Sequence, residues 1–223
     1  MHALAMLTDV VTDKHGSSIA PWQLYSIVQN TCVSVAAFRI KTLLKCEDVG
    51  EFEEVLIELK LCISLVFKPL LHHLKALVQV EEKFPILWQT ILQVMDLLLC
   101  EETYSTTEKG YGSKSATQDS LTKEKLLMTT KELGCEHLRN AVMVLMSYGV
   151  IEDDAALSKT RDLSAFTWET IGSMPYCSAS VDEWKQSGRL AFHAEDTESV
   201  AYVAKTEEDL SYSLSPDIAQ PDR

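Results

Sequence analysis

Two short groups of side chains have the types that could do chemistry, and the spacing within each argues against it. His72 and His73 are the strongest candidates for a metal site. Adjacent helical residues point about 100° apart, so the two imidazoles do not converge on one ion. Cys135, Glu136 and His137 could be a nucleophile with its base. Because side chains one or two positions apart on a helix do not face each other, we interpret this triplet as packing residues.

The glycines and cysteines add no site. Gly110 and Gly112 lie in a polar stretch that lacks the Gly-Lys-Ser of a phosphate-binding loop. The six cysteines show no metal-ligand spacing, and most lie in apolar segments, where a free thiol behaves as a small hydrophobic side chain. We therefore predict reduced cysteines in a cytosolic protein. The residues predict no catalytic group, metal site, cofactor or small-molecule substrate.

The net charge of the chain, −13 at pH 7, restricts the partners it could bind. Binding to nucleic acid needs a basic surface, so nucleic acid is not expected as a partner. Bulk attraction to anionic lipid is disfavoured for the same reason. The basic residues at 123–131 are interleaved with glutamate and are interpreted as a solvated helix face. Since no secretory signal or bilayer-length apolar run is visible, we expect a cytoplasmic protein with at most peripheral membrane contact.

Helices are the elements that would position any site. At 84–102 the apolar residues follow a 3.6-residue period, and further apolar residues flank the stripe. A helix that is apolar on most sides needs several neighbours, so this segment is predicted to be the central buried helix. Pro85 fits its first turn, where the missing N–H has no intrahelical partner. Trp88 and Met95, like Trp168 further on, are interpreted as core residues.

Further helices are predicted over about 18–45, 52–80, 122–148 and 163–174 from the same periodicity. Pro69 predicts a kink or break near 67–68, because proline removes a backbone bond and clashes with the preceding turn. Gly134 is expected to loosen its helix in the middle. Gly149 is well placed to end that helix in a left-handed cap. No strand is convincingly signalled.

Two polar segments contrast with these helices. Residues 103–120 are rich in serine, threonine, glycine and lysine and predict a flexible loop. After Met174 the chain carries ten acidic and four basic residues with aperiodic apolar positions, which predicts a disordered tail. We therefore expect a helical-repeat domain at 1–175 and an acidic disordered tail at 176–223. The predicted fold is all-α, an antiparallel helical array of the HEAT or armadillo-like α-solenoid type.

Three ordered stretches carry a resemblance to a known family. They are Phe-Pro-Ile-Leu-Trp-Gln-Thr-Ile-Leu-Gln-Val-Met-Asp at 84–96, Glu-His-Leu-Arg-Asn at 136–140, and Trp-Glu-Thr-Ile at 168–171. Together they resemble the C-terminal HEAT/TPR-like helical region of the large brefeldin-A-related Arf guanine-nucleotide exchange factors, in the GBF and GNOM group. The family-like structural positions are Leu87, Trp88, Met95, Asp96, Glu136, Leu138, Arg139, Asn140, Gly149, Trp168 and Ile171. Arg139 stands where the family usually has lysine.

The resemblance implies a function without catalysis. The exchange domain of this family carries a glutamate finger in a Phe-Arg-Leu-Pro-Gly-Glu context, and this chain contains no such stretch. The resemblance therefore implies a non-catalytic regulatory or targeting region acting in vesicle-mediated transport. It further implies peripheral association with the Golgi membrane and partners among the proteins of the Golgi and Arf transport machinery. An unrelated HEAT-like scaffold or adaptor that binds other proteins is the alternative.

Overall fold

The architecture is helical throughout the part of the chain that the structure describes. This computed structural model describes residues 6, 19–80, 82–100, 114–152 and 161–193, except for the side chains at 114–118, 120, 161 and 189–193. A π-helical turn, Val28–Val33, joins the first two helices, and a 3-10 turn, Ser178–Ser180, precedes the last. The α-helices are α1 Pro21–Ile27, α2 Ser34–Leu43, α3 Val49–His72, α4 Leu74–Val78, α5 Phe84–Leu99, α6 Lys114–Ser147, α7 Arg161–Ser173 and α8 Val181–His193.

The all-α prediction is confirmed, and the described ranges contain no strand. None of their helices has the length and apolarity that a membrane crossing requires. The α-solenoid arrangement stays a prediction. One hydrophobic core joins the helices, from Leu24 on α1 to Trp184 on α8.

Helix α5 occupies the central position that its sequence predicts. The helix packs against the π-helical turn, α2, α6 and α7. The seven residues of its periodic stripe are all buried: Phe84, Leu87, Trp88, Ile91, Met95, Leu98 and Leu99. Of the four apolar residues that flank the stripe, Leu92 and Val94 are buried, whereas Ile86 and Leu97 are exposed. Burial on most of its surface explains why α5 is apolar well beyond a single stripe.

Helix α3 begins at a side-chain cap and continues through a proline. The carboxylate of Asp48 accepts a hydrogen bond from the backbone N–H of Glu51 at 3.0 Å, which satisfies a free donor of the first turn. The helix then runs through Pro69 to His72, so the break predicted near 67–68 lies instead at His73. Phe67 and Leu70 are fully buried on either side of the proline. Their packing offsets the cost of a helical proline, about 3 kcal/mol.

Helix α6 is longer than predicted and lies between several neighbours. It packs against α3, α5 and α8, and it starts at Lys114, within the predicted flexible loop 103–120. That loop prediction is therefore wrong for 114–120, and its remaining residues lie outside the described part of the chain. Lys60 meets Thr129 and Ser64 meets His137, so α3 and α6 run parallel.

Of the predictions for the two glycines, one within α6 and one just after it, only the second is confirmed. Gly149 has a φ of 64°, and the predicted left-handed cap is confirmed. The N–H groups of Gly149 and Val150 return to the carbonyls of Met146 and Leu145, both at 2.9 Å, and close the helix end. Gly134 does not interrupt the helix. A Cβ there would lie 2.8 Å from Leu98 Cδ2, so the glycine permits close approach of α5 and α6.

The disordered-tail prediction for 176–223 is wrong over its first part. Residues 178–180 form the 3-10 turn and 181–193 form α8, which packs on α6. Cys177 is 0% and Trp184 3% exposed, so both belong to the hydrophobic core. The prediction averaged the charge over the whole of 176–223, whereas the acidic excess lies after residue 193, so these few buried residues were missed. The prediction for 194–223 falls outside the described residues.

Candidate functional site

The two histidines and the Cys-Glu-His triplet that were considered as reactive groups do not form a catalytic or metal centre within the described residues. The rings of His72 and His73 meet edge to face with centroids 4.6 Å apart, and burial, with the neighbouring His73, lowers the pKa of His72. Within the described ranges, no three histidine, cysteine, aspartate or glutamate side chains are grouped to hold a metal ion. The triplet at 135–137 is also divided, because Cys135 faces Cys177 whereas His137 faces Ser64.

His137 is a buried packing residue that joins α6 to α3. Its Nε2 lies 3.1 Å from the Ser64 hydroxyl, and its ring stacks on Phe67 with centroids 5.6 Å apart and planes within 3°. Burial lowers the pKa of His137 to about 4, so the imidazole is neutral at pH 7. The contact stabilises the α3–α6 interface through a neutral polar pair.

Most of the family-like positions lie in the interior, where α5, α6 and α7 meet. Trp88 on α5 donates from Nε1 to the Thr167 hydroxyl at 2.9 Å, and that hydroxyl donates to the Leu163 carbonyl at 2.8 Å. Fully or largely buried family-like positions are Leu87, Trp88, Met95, Leu138, Asn140, Trp168 and Ile171. These residues therefore belong to the packed interior between the helices.

Trp168 links α7 to the segment that follows α6. Its Nε1 donates to the Glu152 carbonyl at 2.7 Å, and the ammonium of Lys185 lies 5.2 Å from the centre of its ring. Lys185 belongs to α8, so this cation–π contact brings a third element to the junction.

The other family-like positions are spread over the surface and the helix ends. Glu136 and Arg139 form an ion pair at 4.0 Å that is partly exposed, which contributes little stability. Asp96 is half-buried on α5, and Gly149 lies at the end of α6. The structure thus does not bring the family-like positions together into a single binding pocket.

The basic residues at 123–131 are not a uniformly solvated face. Lys131 is only 6% exposed, and its ammonium donates to the Cys100 carbonyl at 3.1 Å, at the C-terminal end of α5. The ammonium of Lys123 donates to the carbonyls of Cys46 and Glu47 beyond the end of α2. Carbonyl groups at and beyond helix ends lack intrahelical partners and attract cations. These two lysines therefore bind backbone carbonyls of the same chain.

The α2–α3 apolar surface, defined here as Phe38 and Ile57, is a candidate for contact with another protein. These side chains are 61% and 62% exposed. They flank the ion pair between Arg39 and Glu58, whose atoms are 2.9 Å apart and which joins α2 to α3. The Arg39 guanidinium also lies 5.8 Å from the Phe38 ring centre. In the helix predicted at about 18–45, the 3.6-residue period includes Phe38 in the apolar stripe, yet the structure leaves this side chain exposed.

An internal cavity offers no polar ligand site. It lies between the π-helical turn, α2, α3 and α5, and all eight of its lining residues are apolar. A polar substrate would find no hydrogen-bond partner among these side chains, so the cavity is a packing gap in the core.

Two cysteine thiols meet in a way that sequence reasoning missed. The sulfurs of Cys135 on α6 and Cys177 before α8 are 3.4 Å apart. None of the six cysteines forms a disulfide in the structure. Because 42 residues separate the pair, no local spacing could indicate it.

Comparison with known proteins gives one family. A family model described as the GBF1-like tetratricopeptide repeat region matches residues 1–175. The chain belongs to this family. It is a helical region of the GBF1-like Arf guanine-nucleotide exchange factor group, which confirms the resemblance found in the sequence. No curated protein and no solved structure matches the chain.

The GBF1-like match bears on the two functions left open by the sequence, an exchange-factor region or an unrelated scaffold, and also on the place of α8. It favours the exchange-factor group over an unrelated scaffold, and it specifies tetratricopeptide repeats where the helical pattern predicted HEAT or armadillo repeats. The match ends at 175, whereas the hydrophobic core continues to Trp184. Helix α8 is therefore packed on the GBF1-like repeat region from outside the matched segment.

Proposed function

We propose that this chain is a non-catalytic regulatory or targeting region of a Golgi Arf guanine-nucleotide exchange factor. It acts in vesicle-mediated transport by binding proteins of the Golgi and Arf machinery, at the cytoplasmic face of the Golgi membrane. The observation that carries the proposal is the GBF1-like family match over residues 1–175.

The distribution of polar groups supports a scaffold rather than an enzyme. The buried polar side chains with known partners, such as Thr167 and Lys131, bind other parts of the same chain. The sequence also lacks the glutamate-finger stretch of the family's exchange domain. We therefore expect no acceleration of nucleotide release from an Arf protein by the chain alone.

The α2–α3 apolar surface supports a role in protein binding. Phe38 and Ile57 expose more than half of their surface on neighbouring helices. Exposed apolar side chains are favourable positions for partner contact, since binding removes them from water. Arg39 and Glu58 between them would supply charged groups at the same contact.

Two measurements test the proposal. A fluorescent fusion of the full chain is expressed in cells and its overlap with a Golgi marker is scored. Separately, the purified chain is added to the exchange domain of a GBF1-like protein, and nucleotide exchange on a membrane-bound Arf protein is followed. The expected result is Golgi enrichment, a changed exchange rate, or both.

Matched variants assign the effect to a surface. Phe38→Ser with Ile57→Ser should reduce it, whereas the control Lys41→Ser, an exposed residue of the same α2 helix, should not. A diffuse fusion together with an unchanged exchange rate would overturn the proposal. Nucleotide release by the chain alone, above the spontaneous rate, would overturn its non-catalytic part.

A further inference from the structure

We propose that Cys135 and Cys177 form a site of reversible oxidation, at which a peroxide converts the two thiols to a disulfide that ties the start of the α8 segment to α6. The inference rests on the 3.4 Å between the two sulfurs. It is independent of the regulatory or targeting function proposed above.

The distance between the two sulfurs is already short enough for a disulfide to form after a small movement. A disulfide needs its sulfurs about 2.05 Å apart, so the pair must approach by only about 1.4 Å. Cys177 lies in the turn between α7 and the 3-10 segment, and its N–H bonds to the Met174 carbonyl at 3.0 Å. Cys135 lies within a continuous helix. Rotation of the two side chains and a small shift of the turn bring the sulfurs together without breaking α6.

The two thiols are suited to different steps. Cys135 is partly exposed, whereas Cys177 is 0% exposed, so an oxidant in solution reaches Cys135 first. A hydrogen bond from the Cys177 thiol lowers the pKa of Cys135. The same hydrogen bond, with burial, raises the pKa of Cys177. The thiolate, which is the reactive form, therefore develops on the accessible sulfur.

The reaction balances with hydrogen peroxide as the oxidant. The Cys135 thiolate attacks a peroxide oxygen, the O–O bond breaks, and one water leaves after protonation to give a sulfenic acid. The Cys177 sulfur then attacks the Cys135 sulfur, forming the S–S bond and releasing the sulfenic oxygen as a second water. Two thiols and one peroxide thus give one disulfide and two waters, and a dithiol reductant such as thioredoxin reverses the change by thiol–disulfide exchange.

The bond would act at a defined place in the fold. Cys177 follows the GBF1-like match, which ends at residue 175, and it precedes α8. A disulfide would therefore fix an element from outside the matched segment onto the long helix α6. Disulfides in reducing compartments are characteristically transient and redox-sensing, which fits a pair that is reduced at rest.

Peptide mapping tests whether the Cys135–Cys177 disulfide forms. The full chain is treated with hydrogen peroxide, the remaining thiols are alkylated, and the peptides are analysed by mass spectrometry without reduction. We expect a cross-linked peptide pair containing Cys135 and Cys177, lost on reduction. Cys135→Ser and Cys177→Ser should each abolish it. The control Cys46→Ser, which removes another partly exposed thiol, should leave it intact.

A second measurement does not depend on the fold of the variants. Phenylarsine oxide binds two thiols only when they lie close together, so the reduced wild-type chain should bind one equivalent more than the chain in which Cys135 and Cys177 have been oxidised. Cross-links between other cysteines only, or oxidation of Cys135 to sulfinic acid with Cys177 still free, would overturn the proposal. Failure of Golgi localisation would not affect it, because the chemistry is read on the purified chain.

Discussion

The indole Nε1 of Trp88 donates a hydrogen bond to the hydroxyl oxygen of Thr167 at 2.9 Å, across 79 residues of sequence. Both side chains are fully buried, so neither can exchange this bond for one with water. The contact joins α5 to α7, and the Thr167 hydroxyl passes its own hydrogen to the Leu163 carbonyl. Among the described residues, Trp88 is the largest fully buried side chain, and its hydrogen bond also links two helices.

Removing either partner of this bond is expected to destabilise the fold. Trp88→Ala deletes a buried ring and should cost about 3–5 kcal/mol. Thr167→Val keeps the shape and leaves the indole N–H unpaired, which should cost about 1–3 kcal/mol. In a Trp88→Phe background Thr167→Val should cost less, because no donor is left unpaired. Urea unfolding of the wild type, Thr167→Val, Trp88→Phe and the double variant measures the coupling, and equal costs of Thr167→Val in both backgrounds would contradict the prediction.

Gly188 on α8 is expected to be intolerant of a side chain. A Cβ at this position would overlap the end of the Met146 side chain on α6, and because Met146 is buried, the methionine would have to change rotamer in a packed core. Gly188→Ala should therefore destabilise the chain by about 1–3 kcal/mol despite the better helix propensity of alanine. Gly172→Ala is the matched control, since it is an exposed helical glycine with no atom within 4 Å. That control should be stabilised by up to about 1 kcal/mol, as measured by thermal denaturation; equal effects of the two substitutions would contradict the prediction.

Deletion of α8 should destabilise the helical domain, whereas deletion of the residues beyond it should not. A chain ending at 175 loses Trp184 and uncovers the α6 surface around Met146. Its free energy of unfolding should fall by at least about 3 kcal/mol, the cost of removing one buried tryptophan. A chain ending at 193 is the control and should melt as the full chain does, because the acidic sequence after it lacks apolar periodicity. Equal melting midpoints for the two truncations would contradict the prediction.

Acid should destabilise the chain partly through His137. Burial holds its pKa at about 4 in the folded state, against 6.5 for an ordinary histidine. Between these values the unfolded state binds a proton that the folded state does not, so stability present above pH 6.5 is lost as the pH falls towards 4. The loss should reach about 3 kcal/mol. His137→Asn cannot titrate, and its free energy of unfolding should depend less on pH over this window; parallel pH profiles would contradict the assignment.

Local patterns in the sequence were sufficient for the central helix, for one helix cap and for the family. The 3.6-residue period at 84–102 predicted the central helix α5, and Phe84–Leu99 is both helical and buried on that stripe. Gly149 predicted a left-handed cap, which needs only the absence of a Cβ. The ordered motifs around Trp88, Asn140 and Trp168 pointed to the family that the comparison confirms. Each of these signals is contained in a short stretch of chain.

Tertiary structure decided what depends on residues distant in sequence. Lys131 and Lys123 have the composition of a solvated face, yet the ends of other helices bind their ammonium groups. Segment 176–193 was grouped with the acidic sequence that follows it and predicted to be disordered, yet Cys177 and Trp184 are buried because α6 presents an apolar surface to them. Composition and periodicity report the average tendency of a segment to bury itself. The free energy that orders such a segment comes from surfaces elsewhere in the chain, and only the packed structure shows which surfaces meet.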